Sequence, residues 1–224
     1  WMHFYRPLCF PSSKPIFVVL SAHCLLRYFH TVLIVILERM SMATYTIGFV
    51  VGSLRKESIN RRLAQALVKL LPQDFVAEFI EIGDLPLYNQ DLDGNQPEAV
   101  TKFKQQIEQQ HGIIMVTPEY NRSIPGVLKN AIDHGSRPYG QNSWNGKSLG
   151  VLGTSTGAPA TSMAQQHLRN TLVFCNMPAM NQPEAYIQWR DNMIDAQGDF
   201  NERTGSFMQN WVDAYVAWVK KTAE

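Results

Sequence analysis

The sequence from position 52 to position 60 reads Gly52-Ser53-Leu54-Arg55-Lys56-Glu57-Ser58-Ile59-Asn60. An apolar run at 45–51 precedes it and predicts a strand, and a run with helical spacing at 59–71 follows it. The stretch is therefore a turn into a helix N-terminus, where free backbone N–H groups and the helix dipole favour a phosphate. Four side chains are candidate phosphate ligands: Ser53, Arg55, Ser58 and Asn60.

This turn does not match the two best-known phosphate-binding motifs. It lacks the Gly-Lys-Ser/Thr end of GxxxxGK[ST], and Gly52 stands alone rather than within GxGxxG. A phosphate bound by serine, arginine and asparagine side chains suggests a mononucleotide ligand. A capped helix with solvated polar residues explains the segment equally well when it is taken alone.

The bulk composition is that of one soluble α/β domain. The chain has 224 residues, of which 45% are hydrophobic and 17% charged, and its formal net charge is +1. The neutral balance and the lack of a basic run argue against nucleic acid as a partner. Cys9, Cys24 and Cys175 show no metal-ligand spacing, so we expect no metal site. Unpaired cysteines fit a reducing cytoplasm.

The first 41 residues differ from the rest. The stretch 16–37 is strongly apolar and approaches the length of a membrane span, but it contains Arg27, which costs about 2.5–3.5 kcal/mol near the middle of a span. Met42 resembles a native start. Three explanations stay open: translated upstream or added sequence, a membrane anchor or uncleaved signal, and a helical extension. We exclude 1–41 from the domain, which we place at 42–224, and expect membrane contact only if 16–37 is native.

From Met42 onward, strand-like and helix-like segments alternate. Predicted strands cover 45–51, 75–82, 112–117 and 147–154, and a short fifth combines 176–180 with 184–187. Predicted helices cover 59–71, 98–110, 126–135, 160–174 and 201–222. Alternating βα units predict a parallel sheet with helices on both faces. We expect a flavodoxin-like three-layer sandwich with strand order 2-1-3-4-5.

Ligands bind such sheets at the carboxyl ends of the strands, near the point where the strand order reverses. This rule brings together the loops after the first, third and fourth predicted strands. The second of these loops contains Pro118 and Pro125, which stiffen its backbone. The third carries two hydroxyl residues beside a glycine that permits close approach: Ser155, Thr156 and Gly157. A proline-rich turn and an ordinary Ser/Thr/Gly loop are the plain alternatives.

Together these motifs resemble the NADPH-dependent FMN reductase family, which includes bacterial quinone, azo-dye and chromate reductases. The string PEYN-x-SIPG-x-LKNAID at 118–133 is its most specific feature, and the Gly-Ser-Leu-Arg turn at 52–55 supports it. The resemblance runs from about Thr44 to the C-terminus and does not include 1–41. It implies FMN as cofactor and NADPH or NADH as electron donor.

The resemblance also implies roles for individual residues. The FMN phosphate would be held by Ser53, Arg55, Ser58 and Asn60. The isoalloxazine ring would be lined by Pro118, Glu119, Tyr120, Asn121 and Ser123, and contacted from the opposite loop by Ser155, Thr156 and Gly157. The segment 137–144 lies in a region that varies within the family, and we expect it to shape access above the flavin. The resemblance therefore does not identify the electron acceptor of this chain.

The activity that the resemblance implies is ping-pong transfer of a hydride from a nicotinamide to FMN and on to a quinone or a related acceptor, such as free flavin, an azo dye or chromate. No side chain need act as an acid or nucleophile, so we interpret His134, His167 and Cys175 as structural. The alternative is a flavodoxin-type electron carrier without its own substrate site. Such carriers usually have acidic surfaces, so 20 basic against 19 acidic residues favour the enzyme.

The resemblance further implies a homodimer or homotetramer with flavin sites near subunit boundaries. Four large aromatic residues in loop-like segments or at strand ends predict an exposed partner surface: Tyr139, Trp144, Tyr186 and Trp189. Arg169 and Glu184 match positions that pair across subunits in similar reductases. Two solvated surface charges are the alternative reading of that pair.

Overall fold

The computed structural model describes residues 44–223. Within this range, five parallel strands form one sheet in the order β2-β1-β3-β4-β5. The strands are β1 Tyr45–Val51, β2 Phe75–Phe79, β3 Gly112–Val116, β4 Ser148–Ser155 and β5 Tyr186–Gln188. The predicted strand order is confirmed. The order reverses between β1 and β3, because the chain first builds outward to β2 and then crosses to the other side of β1.

Five α-helices of the described range connect and cover these strands. They are α1 Ile59–Val68, α2 Glu98–Glu108, α3 Gly126–Gly135, α4 Ser162–Phe174 and α5 Glu202–Thr222. A single-turn 3-10 helix, Gln90–Leu92, lies in the long connection between β2 and α2. The predicted bounds of α3 agree with these. The structure is shorter by two or three residues at one end of α1, α2 and α4, and by one residue at the start of α5.

The sheet separates two hydrophobic cores. Ile47, Phe49 and Val51 of β1 face the core that α1 and α5 complete, whereas Val50 faces the core that α2, α3 and α4 complete. Successive strand side chains point to opposite faces, so one nearly continuous apolar strand supplies both cores. The predicted three-layer sandwich is confirmed.

The fifth strand is shorter than predicted. The segment 176–180, predicted as its first half, makes one isolated bridge between Leu149 and Ala179. Pro178 and Pro183 have no N–H to give to a neighbouring strand, so the chain cannot pair continuously here. β5 pairs only with the carboxyl end of β4, where Gly153 lies opposite Tyr186. The edge strand therefore lies beside the loops that follow the strands.

Among the described residues, no helix combines the length and the apolar character that a membrane span requires. The apolar stretch 16–37 and the predicted domain start at Met42 lie outside the described residues.

Candidate functional site

Three loops meet at the carboxyl edge of the sheet, where the sequence placed them. They follow β1, β3 and β4, which are neighbours. The Gly52 N–H donates to the Val116 carbonyl at 2.9 Å, and the Thr117 N–H donates to the Leu152 carbonyl at 3.0 Å. At Gly153 the approach is closer still, because an added Cβ would lie 2.0 Å from the carbonyl oxygen of Thr117. The loops after β3 and β4 can pass each other at this distance only if that residue is glycine.

The turn after β1 forms an exposed, cationic start to α1. Ser58 is buried and caps the helix, and its hydroxyl accepts from the Arg61 N–H at 3.2 Å. Arg55 is exposed, and its guanidinium donates to the carbonyl of Glu57. No acidic residue lies in the first turn of α1. Because the first amides of a helix have no intrahelical partner, this turn suits an anion.

Asn60, predicted to hold the phosphate, binds the backbone of β4 through its side chain. It is buried, its amide N–H donates to the carbonyl of Thr154 at 2.9 Å, and its amide oxygen accepts from the N–H of Thr154 at 2.9 Å. Both ends of the side chain are thus bound to the backbone of β4. These bonds fix the start of α1 against β4, and the predicted contact of Asn60 with the phosphate stays a prediction.

The loop after β3 contains a tight two-residue turn. Tyr120 and Ser123 exchange two backbone hydrogen bonds of 2.9 and 3.0 Å. Between them, Asn121 and Arg122 have φ angles of 51° and 64°. Positive φ at both central residues defines a type I′ turn, which arginine adopts only at a cost. Tyr120 is 51% exposed, so the turn holds an aromatic ring at the rim of the site.

Glu119, predicted to line a ring, anchors this loop to the next one. Its Oε2 accepts from the N–H groups of Met163 and Ala164, at 3.1 and 3.0 Å, in the first turn of α4. Thr161, at the N-cap, makes no capping bond with its own side chain. The carboxylate satisfies two free amides and complements the helix dipole. Glu119 therefore positions the loop after β3 relative to α4.

Two further residues of this loop lie close to other parts of the site. Pro118 is buried, and its Cδ would lie 3.2 Å from a Cβ added to Gly52, so the first and second loops touch. The Ser123 hydroxyl lies 3.0 Å from Nδ1 of His167, on the exposed side of α4. Sequence reasoning missed this contact, because nothing in the chain marks a histidine 44 positions away as the partner of that serine.

The loop after β4 is held by a hydrogen bond within the loop and by two from the segment at β5. The Ser155 hydroxyl accepts from the Gly157 N–H at 3.2 Å, and the Ser155 carbonyl accepts from the Trp189 N–H at 2.8 Å. The Thr156 carbonyl accepts from the amide of Gln188 at 3.2 Å. Thr156 and Gly157 themselves are exposed. The loop after β4 therefore presents small, accessible residues at the same edge as the two other loops.

The segment 137–144 does not lie above this edge, contrary to expectation. Ser143 donates to the carboxylate of Glu108 at 2.7 Å, and Asn142 donates to the carbonyl of Cys175 at 2.8 Å. Glu108 ends α2 and Cys175 ends α4, and both helices run back toward the amino ends of the strands. The segment therefore lies at the opposite edge of the sheet and cannot control access to the three loops.

The predicted aromatic partner surface is also incorrect for two of its four members. Trp144 is fully buried and Trp189 is 6% exposed, whereas Tyr139 is 89% and Tyr186 is 37% exposed. Trp144 packs edge-on against Phe103 in a core, and Arg62 lies over the Trp189 ring. Large aromatic residues in loop-like segments are often buried, because a loop also covers the core beneath it.

Arg169 and Glu184 have partners within the described chain. Arg169 donates to the carbonyl of Met180 at 2.9 Å, while Glu184 accepts from the Tyr186 hydroxyl at 2.5 Å. Burial lowers the pKa of the Arg169 guanidinium from its usual value. Its buried Nε has no partner among the described residues. The predicted pairing of Arg169 and Glu184 across subunits stays a prediction.

The family model described as NADPH-dependent FMN reductase matches residues 45–190. The chain belongs to this family. This FMN reductase is therefore an enzyme that uses FMN as cofactor and NAD(P)H as electron donor. The matched region contains β1 to β5 and all three loops.

Three relatives resemble this chain over nearly their whole length. A 2-hydroxy-1,4-benzoquinone reductase from a Burkholderia species is 51% identical over 175 residues, which cover 78% of this chain and 96% of the relative. A quinone reductase from Pseudomonas putida is 48% identical over 177 residues, with coverages of 79% and 95%. The solved structure of FerB, a flavoenzyme NAD(P)H:(acceptor) oxidoreductase from Paracoccus denitrificans, is 45% identical, with a TM-score of 0.78 and coverages of 81% and 100%.

The residues present in this FMN reductase fit FMN. The cationic turn at α1 suits one terminal phosphate, and the close passage at Gly153 brings two loops to the rim where a flat ring would lie. The structure brings together Ser53, Arg55 and Ser58 in one turn, and the other predicted ring-lining residues in the two loops beside it. Their individual contacts with FMN stay predictions.

Proposed function

We propose that this FMN reductase oxidises NADPH or NADH and reduces quinones or related acceptors. The observation that carries the proposal is the meeting of a cationic helix start with two rigid, accessible loops at the switch point of the sheet. Support comes from the two relatives named as quinone reductases and from FerB, which is described as acting on an acceptor.

Bound FMN supplies the redox chemistry, since a flavin can take up a hydride and pass electrons on. The residues of the chain would bind the flavin and orient it. The Arg55 guanidinium, with the hydroxyls of Ser53 and Ser58, would hold the phosphate through charge-assisted hydrogen bonds. The turn at 120–123 and the loop at 155–157 would present backbone groups and the Tyr120 ring to the flavin. Asn60 and Glu119 would keep these loops in place without touching the reacting atoms.

The test begins with the cofactor. The purified protein should be yellow, and heat denaturation should release FMN, because one cationic turn suits a single terminal phosphate. NADPH oxidation should then depend on added benzoquinone, with parallel initial-rate plots when donor and acceptor are both varied. Released FAD would refute the phosphate site. Flavin reduction without quinone turnover would instead indicate an electron carrier.

We also propose a homodimer or homotetramer in the cytoplasm. Val173 and Phe174, at the end of α4, are 73% and 87% exposed, and adjacent apolar side chains of this size favour a partner surface. The free, buried Cys175 suits a reducing compartment. Sedimentation at micromolar protein tests the assembly, and a fully active monomer would refute it. If Arg169→Ala and Glu184→Ala leave a confirmed oligomer unchanged, those two residues do not pair across subunits.

A further inference from the structure

A cavity lies beside the edge strand of the sheet. Its volume is about 460 Å³, which is within the size range of small-molecule pockets, and it is enclosed by β5, the connection after it and the start of α5. None of the residues predicted to bind FMN is among its described lining residues. The cavity therefore shares no described lining residue with the predicted FMN site.

The charge of this cavity is positive. Arg190 and Arg203 line it, and its described lining residues include no carboxylate. Arg190 donates to the Gln188 side-chain oxygen at 2.7 Å, which leaves other N–H groups of its guanidinium unused. The Arg203 side chain makes no hydrogen bond or ion pair within the described part of the chain. Two guanidinium groups with free donors, and no competing carboxylate on the wall, suit a phosphate dianion.

Two aromatic side chains complete the cavity. Tyr186 is 37% exposed and Phe207 is 42% exposed, and both line it. A phenyl face that remains accessible in a pocket can stack against a flat heterocycle. The chemistry of the wall therefore matches a phosphate ester joined to a planar base.

Gln188 connects this cavity to the flavin loops. It lines the cavity, its oxygen accepts from Arg190, and its N–H donates to the carbonyl of Thr156 at 3.2 Å. Thr156 belongs to the loop after β4, which is predicted to contact the flavin. A ligand in the cavity would thus lie next to a loop that is predicted to contact the flavin.

We propose that this cavity binds the adenosine 2′-phosphate of NADPH, and that Arg190 and Arg203 set the preference for NADPH over NADH. The two donors differ only in that phosphate, so a phosphate subsite is the simplest means of distinguishing them. The inference rests on the proposed function, in that a nicotinamide must be the electron donor. It adds the residues that choose between the two nicotinamides.

Calorimetric titration of the FMN-loaded protein tests the cavity without turnover. Adenosine 2′,5′-bisphosphate should bind about tenfold or more tightly than adenosine 5′-monophosphate, because only the former carries the 2′-phosphate. Arg203→Ala and Arg190→Ala should each remove most of that difference. Lys102→Ala, which removes an exposed cation on α2, is the matched control and should preserve it. Equal affinity for the two nucleotides, or an undiminished difference in both arginine variants, would overturn the proposal.

Steady-state kinetics with a quinone give a second readout. Arg203→Ala should raise KM for NADPH about tenfold or more and leave KM for NADH within about twofold. Phe207→Ala should raise both, because both donors contain adenine. Equal effects of Arg203→Ala on the two donors would contradict the phosphate role. If neither nicotinamide supports quinone reduction, the proposed function fails, whereas the calorimetric result still decides what the cavity binds.

Discussion

Asn60 joins two elements of the site through one side-chain amide. Its two hydrogen bonds to Thr154 link the start of α1 to the end of β4, and both residues are buried. An amide carries its donor and its acceptor on two separate atoms, so it can pair with the carbonyl and the N–H of one residue at the same time. The identity of this side chain therefore matters more than its size.

We expect Asn60→Asp and Asn60→Ala to destabilise the protein. The aspartate would turn an oxygen toward the Thr154 carbonyl, and the alanine would leave both backbone groups of Thr154 without that partner. Each unsatisfied buried group costs about 1–3 kcal/mol. Urea unfolding at neutral pH measures the effect. Asn170→Ala, on the exposed side of α4, is the control and should change the free energy of unfolding by less than about 0.5 kcal/mol. An Asn60→Asp protein as stable as the wild type would refute the role.

Substitution of Arg55 tests whether the turn after β1 binds the FMN phosphate. A charge-assisted contact with phosphate is worth about 1.5–3 kcal/mol, so Arg55→Ala should weaken FMN binding about ten- to a hundredfold. Hydride transfer in FMN-saturated enzyme should change much less, because Arg55 lies in the phosphate turn. Arg55→Lys keeps the charge and should be intermediate. FMN titration followed by flavin fluorescence measures the affinity, and an unchanged value for Arg55→Ala would remove the proposed site.

The sequence predicted the positions of the loops but not the contacts within them. The alternation of strands and helices places loops after β1, β3 and β4 at one edge, whatever their side chains do. The partner of Asn60 is 94 positions away and those of Glu119 are 44 and 45 positions away. Such contacts depend on how loops pack in three dimensions, so a polar residue in a predicted ligand loop cannot be distinguished from one that holds the loop.

At the scale of elements, Gly153 determines how closely the loops after β3 and β4 approach. A methyl group there would lie 2.0 Å from a backbone oxygen, which no change of rotamer can relieve. Gly157, in the same loop, has no atom closer than 3.6 Å to an added Cβ. Gly157→Ala is therefore a matched control for Gly153→Ala.

We expect Gly153→Ala to lower the free energy of unfolding by about 1–3 kcal/mol, as overpacking does elsewhere. FMN affinity should fall as well, because β4 would have to move away from Thr117. Gly157→Ala should have a smaller effect on stability. Thermal melting of both variants without flavin, followed by FMN titration, separates the two effects. Equal melting temperatures for the two variants would contradict the close passage.

The elements that could be predicted are those with long, regular patterns. β1, β3 and β4 are buried runs that pair on both sides, and their helices carry clear apolar faces. β5 is three residues long and lies at the edge, so few of its residues show a pattern. The position of 137–144 was expected from its variability within the family, although the direction of α3 places it at the opposite edge. The path of the chain from α3 to β4 determines where this segment lies, and the identity of its side chains does not.

At the scale of the whole molecule, residues 45–219 supply all five strands of the described sheet and the residues of both cores. The similarity to other proteins extends over a comparable length of chain. FerB is covered over 100% of its length by 81% of this chain, and the Burkholderia relative over 96% of its length by 78%.

We therefore predict that a chain beginning at Met42 keeps the fold and the activity. Its melting temperature should lie within a few degrees of that of the full chain, because the described residues of both cores lie at Tyr45 or beyond it. FMN content and quinone-dependent NADPH oxidation should be unchanged. Membrane fractionation of the full chain and of the shortened chain tests the separate question of an anchor, since 16–37 would have to carry it. A loss of soluble yield or of bound FMN in the shortened chain would mean that residues 1–41 contribute to the native domain.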